Sequence, residues 1–411
     1  MHRLENPVRH YAWGSRTHIP RLLGVPPDGE PWAELWLGAH PAAPSRVEDG
    51  TTLDELIARD AEAILGPRLR ATFGDRLPFL MKVLAAGEPL SLQVHPTSER
   101  ARIRHAEQDV AGIPVDAPER TYPDASHKPE LIYALTRFEG MAGFRDPVKT
   151  AAILRGLRLP WLDQVADAIE TSQTPFQTLR GTVTELLALK GEHLRHRLRQ
   201  LRAAAAAAEL DLHARLAGRR GSVNEDPTAV ERESVRVYAA TVQLVDRYPH
   251  DAGVLVTLLL NHVVLAPGES MFIDAGVIHA YTSGCGVEIM AASDNVLRAG
   301  LTPKHMDIPE LLEVTNFTPM PPPLWAAETT DGCTVVSPPV AEFELLVHAV
   351  ARPVALDATA QLVLCLEGDT TVSTATGSEH LRVGESVFAG VADGPLTIEG
   401  SGRVAVGRPA A

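Results

Sequence analysis

The stretch from residue 270 to residue 305 places the strongest constraint on the fold. It runs through the most apolar part of the chain, yet it carries His279, Glu288 and Arg298. Four glycines interrupt it: Gly276, Gly284, Gly286 and Gly300. This rhythm is typical of short strands and tight turns and not of a helix. Because burying these charged groups unpaired is costly, the stretch predicts β-structure in which a metal ion, a substrate or an ion pair satisfies them.

Composition limits the class of protein and its partners. The chain has 411 residues, enough for two or three domains with sizeable cores. Its net charge of −14 argues against nucleic acid or an anionic membrane as a partner. A phosphorylated small molecule remains compatible with this charge, because a site can be locally basic within an acidic protein.

The cysteines and the N-terminus indicate the compartment. Three cysteines without CxxC spacing exclude a disulfide framework and a thiolate zinc site, and they suit a reducing environment. The first residues contain no apolar targeting segment, and no run reaches the length of a membrane span. The sequence therefore predicts a cytoplasmic protein.

Residues 78–96 predict two strands joined by a turn at Gly87-Glu88-Pro89. Alternate side chains of a strand share one face, so Ser91, Gln93 and His95 project in the same direction. A glutamine and a histidine side by side form half of a candidate metal site. An ordinary hydrogen-bonded histidine remains the alternative at this stage.

A second polar pair lies in the segment His127-Lys128-Pro129-Glu130, where Lys128 and Glu130 share one face of a short strand. Lysine is scarce, with five in the chain, so a lysine beside a candidate ligand carboxylate is informative. A solvated ion pair is the alternative interpretation.

The sequence patterns divide the whole chain into four segments. Residues 146–248 lack strand patterning, contain six consecutive alanines at 203–208, and predict an all-α insertion with a polar loop at 217–228. Its helix-start signals are Asp146-Pro147, Thr174-Pro175 and Asp226-Pro227. The insertion separates residues 1–145 from 249–325, which together form the predicted catalytic β-domain. Residues 326–411 again predict short strands, as in a jelly roll, and we expect a structural domain there.

Four groups fit one divalent cation, and their spacing is the argument for it. Gln93 and His95 lie two residues apart on one strand, Glu130 on a later strand, and His279 beyond the insertion. Two imidazoles and a carboxylate are a common zinc set, and an amide oxygen is an unusual fourth ligand. This order resembles the cupin barrel, in which an HxH pair, a glutamate and a distant histidine converge.

Longer motifs extend the resemblance. The strings SLQVHP, HKPE, FIDAGVIHAY and GVEIMAASDNVLRAGLTPKH, together with YAWGS and WAELWLGAH, resemble the type I mannose-6-phosphate isomerase (phosphomannose isomerase) family of the cupin superfamily. The similarity spans essentially the whole chain. It implies a mainly β fold with an α insertion, a cupin (jelly-roll) catalytic barrel and a C-terminal jelly roll. It also implies one Zn²⁺ per chain, held by Gln93, His95, Glu130 and His279, and an active-site arginine at Arg298.

The implied reaction moves a proton between C1 and C2 of mannose 6-phosphate and fructose 6-phosphate through an enediol(ate). Glu288 and Lys128 are candidates for the proton transfers, and His127 for opening the sugar ring. Arg298 either clamps the phosphate or stabilises the enediolate. The candidate substrate contacts are Ser91, Tyr281 and Lys304. The alternatives are a Glu288–Arg298 structural bridge, a Lys128 that balances Glu130, and a Tyr281 that is a core aromatic residue.

Two rival classes remain at the level of sequence. A non-haem iron dioxygenase would favour three protein ligands with open positions for oxygen, whereas four are predicted here. A non-catalytic sugar-binding or storage bicupin would need neither the ligands nor Arg298 and Lys128. The favoured prediction is a monomeric zinc isomerase with a sugar phosphate substrate, feeding mannose and GDP-mannose metabolism.

Overall fold

The structure is a computed structural model that describes residues 1–219 and 228–410, apart from the side chain of Arg219. Its helix α8 (Gly191–Arg219) continues into the region where a polar loop was predicted from residue 217. The predicted helix start at Asp226-Pro227 lies outside the described residues. The next described helix, α9 (Ala229–Arg247), begins after Thr228, which forms a capping box with Glu231.

Strands precede and follow the helical segment. Those before it are β1 (His2–Leu4), β2 (Val8–Arg9), β3 (Glu34–Leu37), β4 (Phe79–Ala86), β5 (Leu92–Val94), β6 (Glu130–Ala134) and β7 (Phe138–Phe144). Those after it are β8 (Leu260–Leu265), β9 (Ser270–Ile273), β10 (His279–Ala291), β11 (Leu297–Gly300), β12 (Leu324–Trp325), β13 (Glu328–Thr330), β14 (Cys333–Val336), β15 (Glu344–Val350), β16 (Val354–Leu356), β17 (Gln361–Ser373), β18 (Ser378–Arg382), β19 (Ser386–Ala389) and β20 (Leu396–Arg408).

The helices fall into three groups. Those among the first strands are α1 (His18–Leu22), α2 (Leu53–Arg59), α3 (Ala61–Phe73) and α4 (Ser98–Val110). The central group comprises α5 (Pro147–Gly156), α6 (Pro160–Glu170), α7 (Pro175–Ala188), α8, α9 and α10 (Gly253–Thr257), and α11 (Ile308–Val314) follows β11. Asp146 accepts a hydrogen bond from the Lys149 amide and caps α5 as predicted, while Thr174 precedes α7 without a side-chain cap bond.

Within the described residues, the strands form two antiparallel sheets. The larger sheet runs β12-β9-β6-β10-β4-β3-β2, and β10 also pairs with β5 and β7, which continue to β11 and β8. The smaller sheet runs β1-β19-β17-β20-β15-β14-β13, with β16 on β20 and β18 on β17. The mainly β fold with a helical insertion is therefore as predicted.

Strand β10 joins the two halves of the larger sheet. From His279 to Ser283 it pairs with β5 and β7, and from Gly284 onward it pairs with β4 and β6. At the change Gly284 has a φ of 112°, and a Cβ there would lie 2.6 Å from the Arg137 carbonyl oxygen. Glycine is needed at this point, because no other residue fits both the space and the backbone conformation. Gly284 thus separates the part of β10 that carries His279 from the part that carries Glu288.

Apolar packing fastens the layers together. One core lies between the two sheets and includes Phe79, Met81, Leu345 and Phe388. A second core joins the helices to the edge of the larger sheet that carries Leu92 and other apolar strand residues. The helical segment and the smaller sheet therefore both pack against the larger sheet.

The four segments predicted from sequence exchange strands at their edges. Strand β1 pairs with β19, so the N-terminus joins the C-terminal sheet. Strand β12 pairs with β9 and so belongs to the larger sheet. Helix α10 follows the predicted end of the helical insertion at residue 248. The division into domains remains a prediction, and these contacts mark where the segments interlock.

Candidate active site

A buried group of metal-ligand type lies where β5, β6 and β10 meet. The ligand atoms of His95, Glu130 and His279 lie within 4.8 Å of one another, and all three residues are buried. Nε2 of His95 is 3.3 Å from one carboxylate oxygen of Glu130, and Nε2 of His279 is 3.3 Å from the other. Three of the four predicted metal ligands are thus brought together from strands far apart in the chain.

Hydrogen bonds at the far side of each imidazole fix its tautomer. Nδ1 of His95 lies 2.8 Å from the Asn295 carbonyl oxygen, and Nδ1 of His279 lies 2.9 Å from that of Val277. A carbonyl can only accept, so each Nδ1 carries the proton and each Nε2 presents a lone pair, as in metal-binding histidines.

The facing atoms lack partners. In the described part of the chain, Nε2 of His95 and Oε2 of Glu130 are buried without a hydrogen bond. Buried polar atoms are nearly always paired, so these atoms fit a cation placed between them. The donor set of two nitrogens and a carboxylate suits a divalent metal such as zinc.

Gln93 lies beside this group. On β5 it is the register partner of His279 on β10 and of Arg298 on β11. Its amide Nε2 is 3.3 Å from Nε2 of His279, and a half-turn of the amide exchanges nitrogen for oxygen. The fourth ligand is therefore within reach of the group, and its role remains a prediction.

Local charges keep the group in a cation-binding form. Burial lowers the pKa of His95 to about 4, with the Lys128 ammonium adding to the effect. Burial would raise the pKa of Glu130, but Lys128 and His95 hold it well below its ordinary value, and Lys128 forms an ion pair with it. At neutral pH His95 is neutral and Glu130 is a carboxylate.

A cavity of about 980 Å³ lies over this group. The predicted site residues that line it are Ser91, Gln93, Lys128, Glu130, Tyr281, Glu288, Arg298 and Lys304. The structure thus gathers side chains from four strands and three loops around one space. Glu130 both lines the cavity and belongs to the metal-binding group, so the two are continuous.

Glu288 is paired, but with a residue that the sequence analysis missed. Its Oε2 lies 3.1 Å from Nζ of Lys82, its register partner on β4. Lys82 is also 3.4 Å from Glu34, and its ammonium lies 5.1 Å from the centre of the Trp36 ring. The alternative bridge between Glu288 and Arg298 is therefore wrong. The missed signal was a lone lysine inside the apolar run FLMKVLAA.

Burial and charge oppose each other within this cluster. Burial raises the pKa of Glu288, although the Lys82 ammonium acts against the shift. Burial would lower the pKa of Lys82, but Glu34 and Glu288 raise it above its ordinary value. Lys82 therefore stays charged and holds the Glu288 carboxylate in place.

His127 is not among the residues that line the cavity, contrary to its predicted role. Its Nε2 lies 2.6 Å from Oε1 of Glu342, in the loop before β15. Neighbouring side chains of an extended segment point to opposite sides, so a Lys128 that faces the cavity turns His127 away from it. His127 instead links this segment to the C-terminal sheet.

Arg298 and Lys304, two cationic residues that line the cavity, differ in burial. Arg298 is half-buried, and burial lowers its pKa. Its guanidinium makes no hydrogen bond or ion pair to another residue in the described ranges. Lys304 is exposed, and burial of part of its side chain, together with the nearby Arg298, lowers its pKa. These two residues form a cationic end of the cavity.

Tyr281 belongs to an apolar core and also lines the cavity. Its ring packs edge-on against Phe138 at 5.2 Å and lies 5.9 Å from the ring of His279. Its hydroxyl is buried without a hydrogen-bond partner in the part of the chain that the structure describes. Burial raises the pKa of Tyr281 well above its ordinary value, so the hydroxyl keeps its proton and remains a donor.

The helical segment supplies a wall of the cavity, which the sequence did not indicate. The lining residues from this segment and the turn that follows it include Leu187, Leu189, Lys190, Leu194, Arg247 and Tyr248. Lys190 is exposed, and it borders the cavity. No local pattern reveals such a role, because it depends on how the helices pack on the sheet.

A mainly β chain with a buried His–Glu–His group beneath a cavity that charged side chains help to line is a metalloprotein of the cupin class. The model of the type I phosphomannose isomerase catalytic domain matches residues 1–147, and that of the mannose-6-phosphate isomerase cupin domain matches residues 334–409. The mannose-6-phosphate isomerase of Escherichia coli (strain K12) is 38% identical over 98% of both chains. That of Homo sapiens is 32% identical over 90% of this chain and 88% of its own.

Solved structures agree over the full length. A crystal structure of the Salmonella typhimurium enzyme bound to fructose 6-phosphate and zinc superposes with a TM-score of 0.86, at 35% identity and with complete coverage of both chains. The chain belongs to the type I mannose-6-phosphate isomerase family. This confirms the predicted family and sets aside the dioxygenase and the storage bicupin. Among the described residues, none of the helices has the length and apolarity needed to cross a membrane.

Proposed function

We propose that this chain is a zinc-dependent isomerase that interconverts mannose 6-phosphate and fructose 6-phosphate. The observation that carries the proposal is the buried group of His95, Glu130 and His279, with unpartnered ligand atoms, under a cavity with a cationic end. Its support from relatives is the Salmonella typhimurium structure, which holds zinc and fructose 6-phosphate.

The zinc site would comprise His95, Glu130 and His279, with Gln93 as the fourth ligand. When bound, zinc would polarise the sugar carbonyl and stabilise negative charge on its oxygen as a Lewis acid. Glu130 neutralises part of the metal charge, and the Nδ1 hydrogen bonds hold both imidazoles in the ligating orientation.

Glu288 is the proposed base for the transfer between carbons. It takes the proton from C2 of the aldose, which leaves an enediol(ate), and returns a proton to C1 to give the ketose. Its raised pKa suits a group that must both accept and release a proton. Lys82 anchors the carboxylate from the adjacent strand.

The hydroxyl protons move in the same direction, from O2 to O1. Lys128 is the proposed carrier, because its ammonium lines the cavity beside Glu130 and can donate to one oxygen as the other loses its proton. Ser91 and Tyr281 offer hydroxyl groups to the sugar, and the protonated Tyr281 acts as a donor.

Arg298 and Lys304 are the proposed partners of the two other anionic groups, the enediolate and the phosphate. Arg298 on β11 is the register partner of Gln93 on β5, and β5 lies between Arg298 and His279 on β10. Side chains opposed in this way lie close together on one face of a sheet. Arg298 is thus next to the metal site, where the enediolate charge develops, while exposed Lys304 takes the phosphate at the rim.

The broader setting follows from the chemistry and composition. We propose a cytoplasmic monomer that supplies or consumes mannose 6-phosphate for mannose and GDP-mannose metabolism. The reducing compartment agrees with three free cysteines, and the acidic net charge agrees with a small-molecule partner.

A coupled assay for fructose 6-phosphate formed from mannose 6-phosphate tests the function directly. We expect turnover that a chelator abolishes and that added Zn²⁺ restores, with one zinc per chain by metal analysis. Unphosphorylated mannose is the control substrate, and it should react far more slowly. Full activity in protein free of zinc, or iron in place of zinc with no isomerase activity, would contradict the proposal.

A further inference from the structure

One carboxylate ties together two segments that both lead into the site. Asp124 accepts hydrogen bonds from the hydroxyl of Ser293 at 2.9 Å and from the main-chain amide of Asp294 at 2.8 Å. It also accepts from the amide of Ser126 at 2.9 Å, which fixes its own turn. The segments 124–126 and 293–295 are thereby held side by side, although about 170 residues separate them in sequence.

Asn295 completes the connection and carries it to a metal ligand. Its side-chain amide donates to the carbonyl of Asp124 at 2.8 Å and to that of Ser126 at 2.7 Å. Asn295 is fully buried, so these bonds have no competition from water. Its own carbonyl accepts the hydrogen bond from Nδ1 of His95 at 2.8 Å. The orientation of the His95 imidazole therefore depends on where this loop is held.

The same two segments continue into other groups of the site. Two residues after Ser126 comes Lys128, followed by Glu130, and three residues after Asn295 comes Arg298. Without the Asp124 carboxylate, the Asp294 amide loses its acceptor, and the Ser293 hydroxyl keeps only the longer hydrogen bond to the Ser126 carbonyl, at 3.2 Å. These bonds join the two segments to each other, so their loss should let the loop that carries Asn295 shift relative to residues 124–126.

We propose that Asp124 and Asn295 are positioning residues for the metal site, acting on His95 through the Asn295 carbonyl. Neither residue lines the cavity or belongs to the group of ligand atoms. The inference rests on the proposed function only in taking zinc as the metal. Partners of this kind, which orient a ligating histidine, commonly change metal affinity by 10- to 100-fold when altered.

The test measures zinc affinity without reference to turnover. Wild type, Asp124→Ala, Asp124→Asn and Asn295→Asp are stripped of metal and titrated with zinc against a chromophoric chelator. We expect the zinc dissociation constant to rise roughly 10- to 100-fold in Asp124→Ala and Asn295→Asp. Asp124→Asn keeps one acceptor oxygen and should be intermediate. It also serves as the milder variant if the alanine protein does not fold.

Asp146→Ala is the matched control, since it removes another loop aspartate that accepts a main-chain hydrogen bond, at the start of α5 away from the site. It should lower the midpoint of urea unfolding and leave zinc affinity unchanged. Wild-type affinity in the Asp124 and Asn295 variants, or an equal loss in Asp146→Ala, would overturn the proposal. If wild type binds zinc but makes no fructose 6-phosphate, the proposed function fails, while the comparison of affinities still decides this inference.

Discussion

At the scale of single residues, the site depends on side chains that share one face across three strands. His279, Gln93 and Arg298 are register partners on β10, β5 and β11. The guanidinium of Arg298 has no hydrogen bond or ion pair to another described residue, and Arg298 is half-buried beside the cavity. An arginine held in this way is available for charge that appears during the reaction.

Substitution of Arg298 separates its two candidate roles. If it stabilises the enediolate, Arg298→Ala should lower kcat by about two to four orders of magnitude, roughly 3–5 kcal/mol, with little change in KM. Arg298→Lys should recover little, because an ammonium lacks the planar fork. Lys304→Ala is the comparison, and it should raise KM while kcat holds.

Steady-state kinetics with zinc content checked in each variant decide the matter. A raised KM with unchanged kcat in Arg298→Ala would assign the phosphate to Arg298 instead. Normal values of both constants in both Arg298 variants would remove the residue from the mechanism.

At the scale of elements, buried charge is held by pairing between neighbouring strands. Lys82 on β4 lies between Glu288 on β10 and Glu34 on β3, so three adjacent strands carry one ion cluster on the cavity side. Strand β8 shows the opposite arrangement. His262 is buried there with Nε2 lacking a partner among the described atoms, close to Arg145 and Arg236.

His262 should make stability depend on pH. Burial, reinforced by Arg145, lowers the pKa of His262 to about 3 from an ordinary value of 6.5. Between these values the unfolded chain binds a proton that the folded chain does not. The free energy of unfolding is therefore highest above pH 6.5 and falls as the pH drops toward 3. At about pH 5 the loss from this residue is about 2 kcal/mol.

Urea unfolding of the zinc-free protein at about pH 7 and about pH 5 measures the effect. Between these two pH values the free energy of unfolding should fall by about 2 kcal/mol less in His262→Gln than in wild type. His193→Gln removes an exposed histidine from α8 and should behave as wild type does. An unchanged pH dependence in His262→Gln would show that this imidazole is not the source.

At the scale of the whole molecule, the two sheets have different tasks. The cavity is lined by the larger sheet, the loops around it and the helical segment. The C-terminal sheet shares a core with the larger sheet and reaches the Lys128 segment through the bond between Glu342 and His127. Its histidines lie elsewhere, with His348 near Cys333 and His380 near Asp369.

We therefore expect His348→Ala and His380→Ala to keep zinc content and turnover near wild type. His279→Ala is the matched comparison, and it should lose both, because it removes a ligand nitrogen from the group with Glu130. Zinc content and kcat of the three purified variants test the division of labour. Loss of metal from either C-terminal variant, or full zinc and normal rates in His279→Ala, would contradict it.

Local patterns in the sequence determined most elements and most of the site. Alternation placed Ser91, Gln93 and His95 on one face, and the Asp146-Pro147 pair marked the start of α5, since both depend on neighbours a few residues away. The motif strings added the family and the candidate ligands. The spacing of these motifs could not show that His127 faces Glu342, which lies 215 residues further along the chain.

The tertiary structure alone decided the partners of the charged groups. The pairing of Glu288 with Lys82 follows from the register of β10 and β4, and the wall that contains Lys190 follows from helices packed on a sheet. The hydrogen bonds that link Asp124 through Asn295 to His95 likewise depend on how distant segments pack together. Register and packing are set by burying apolar surface over the whole chain, and no local stretch contains that information.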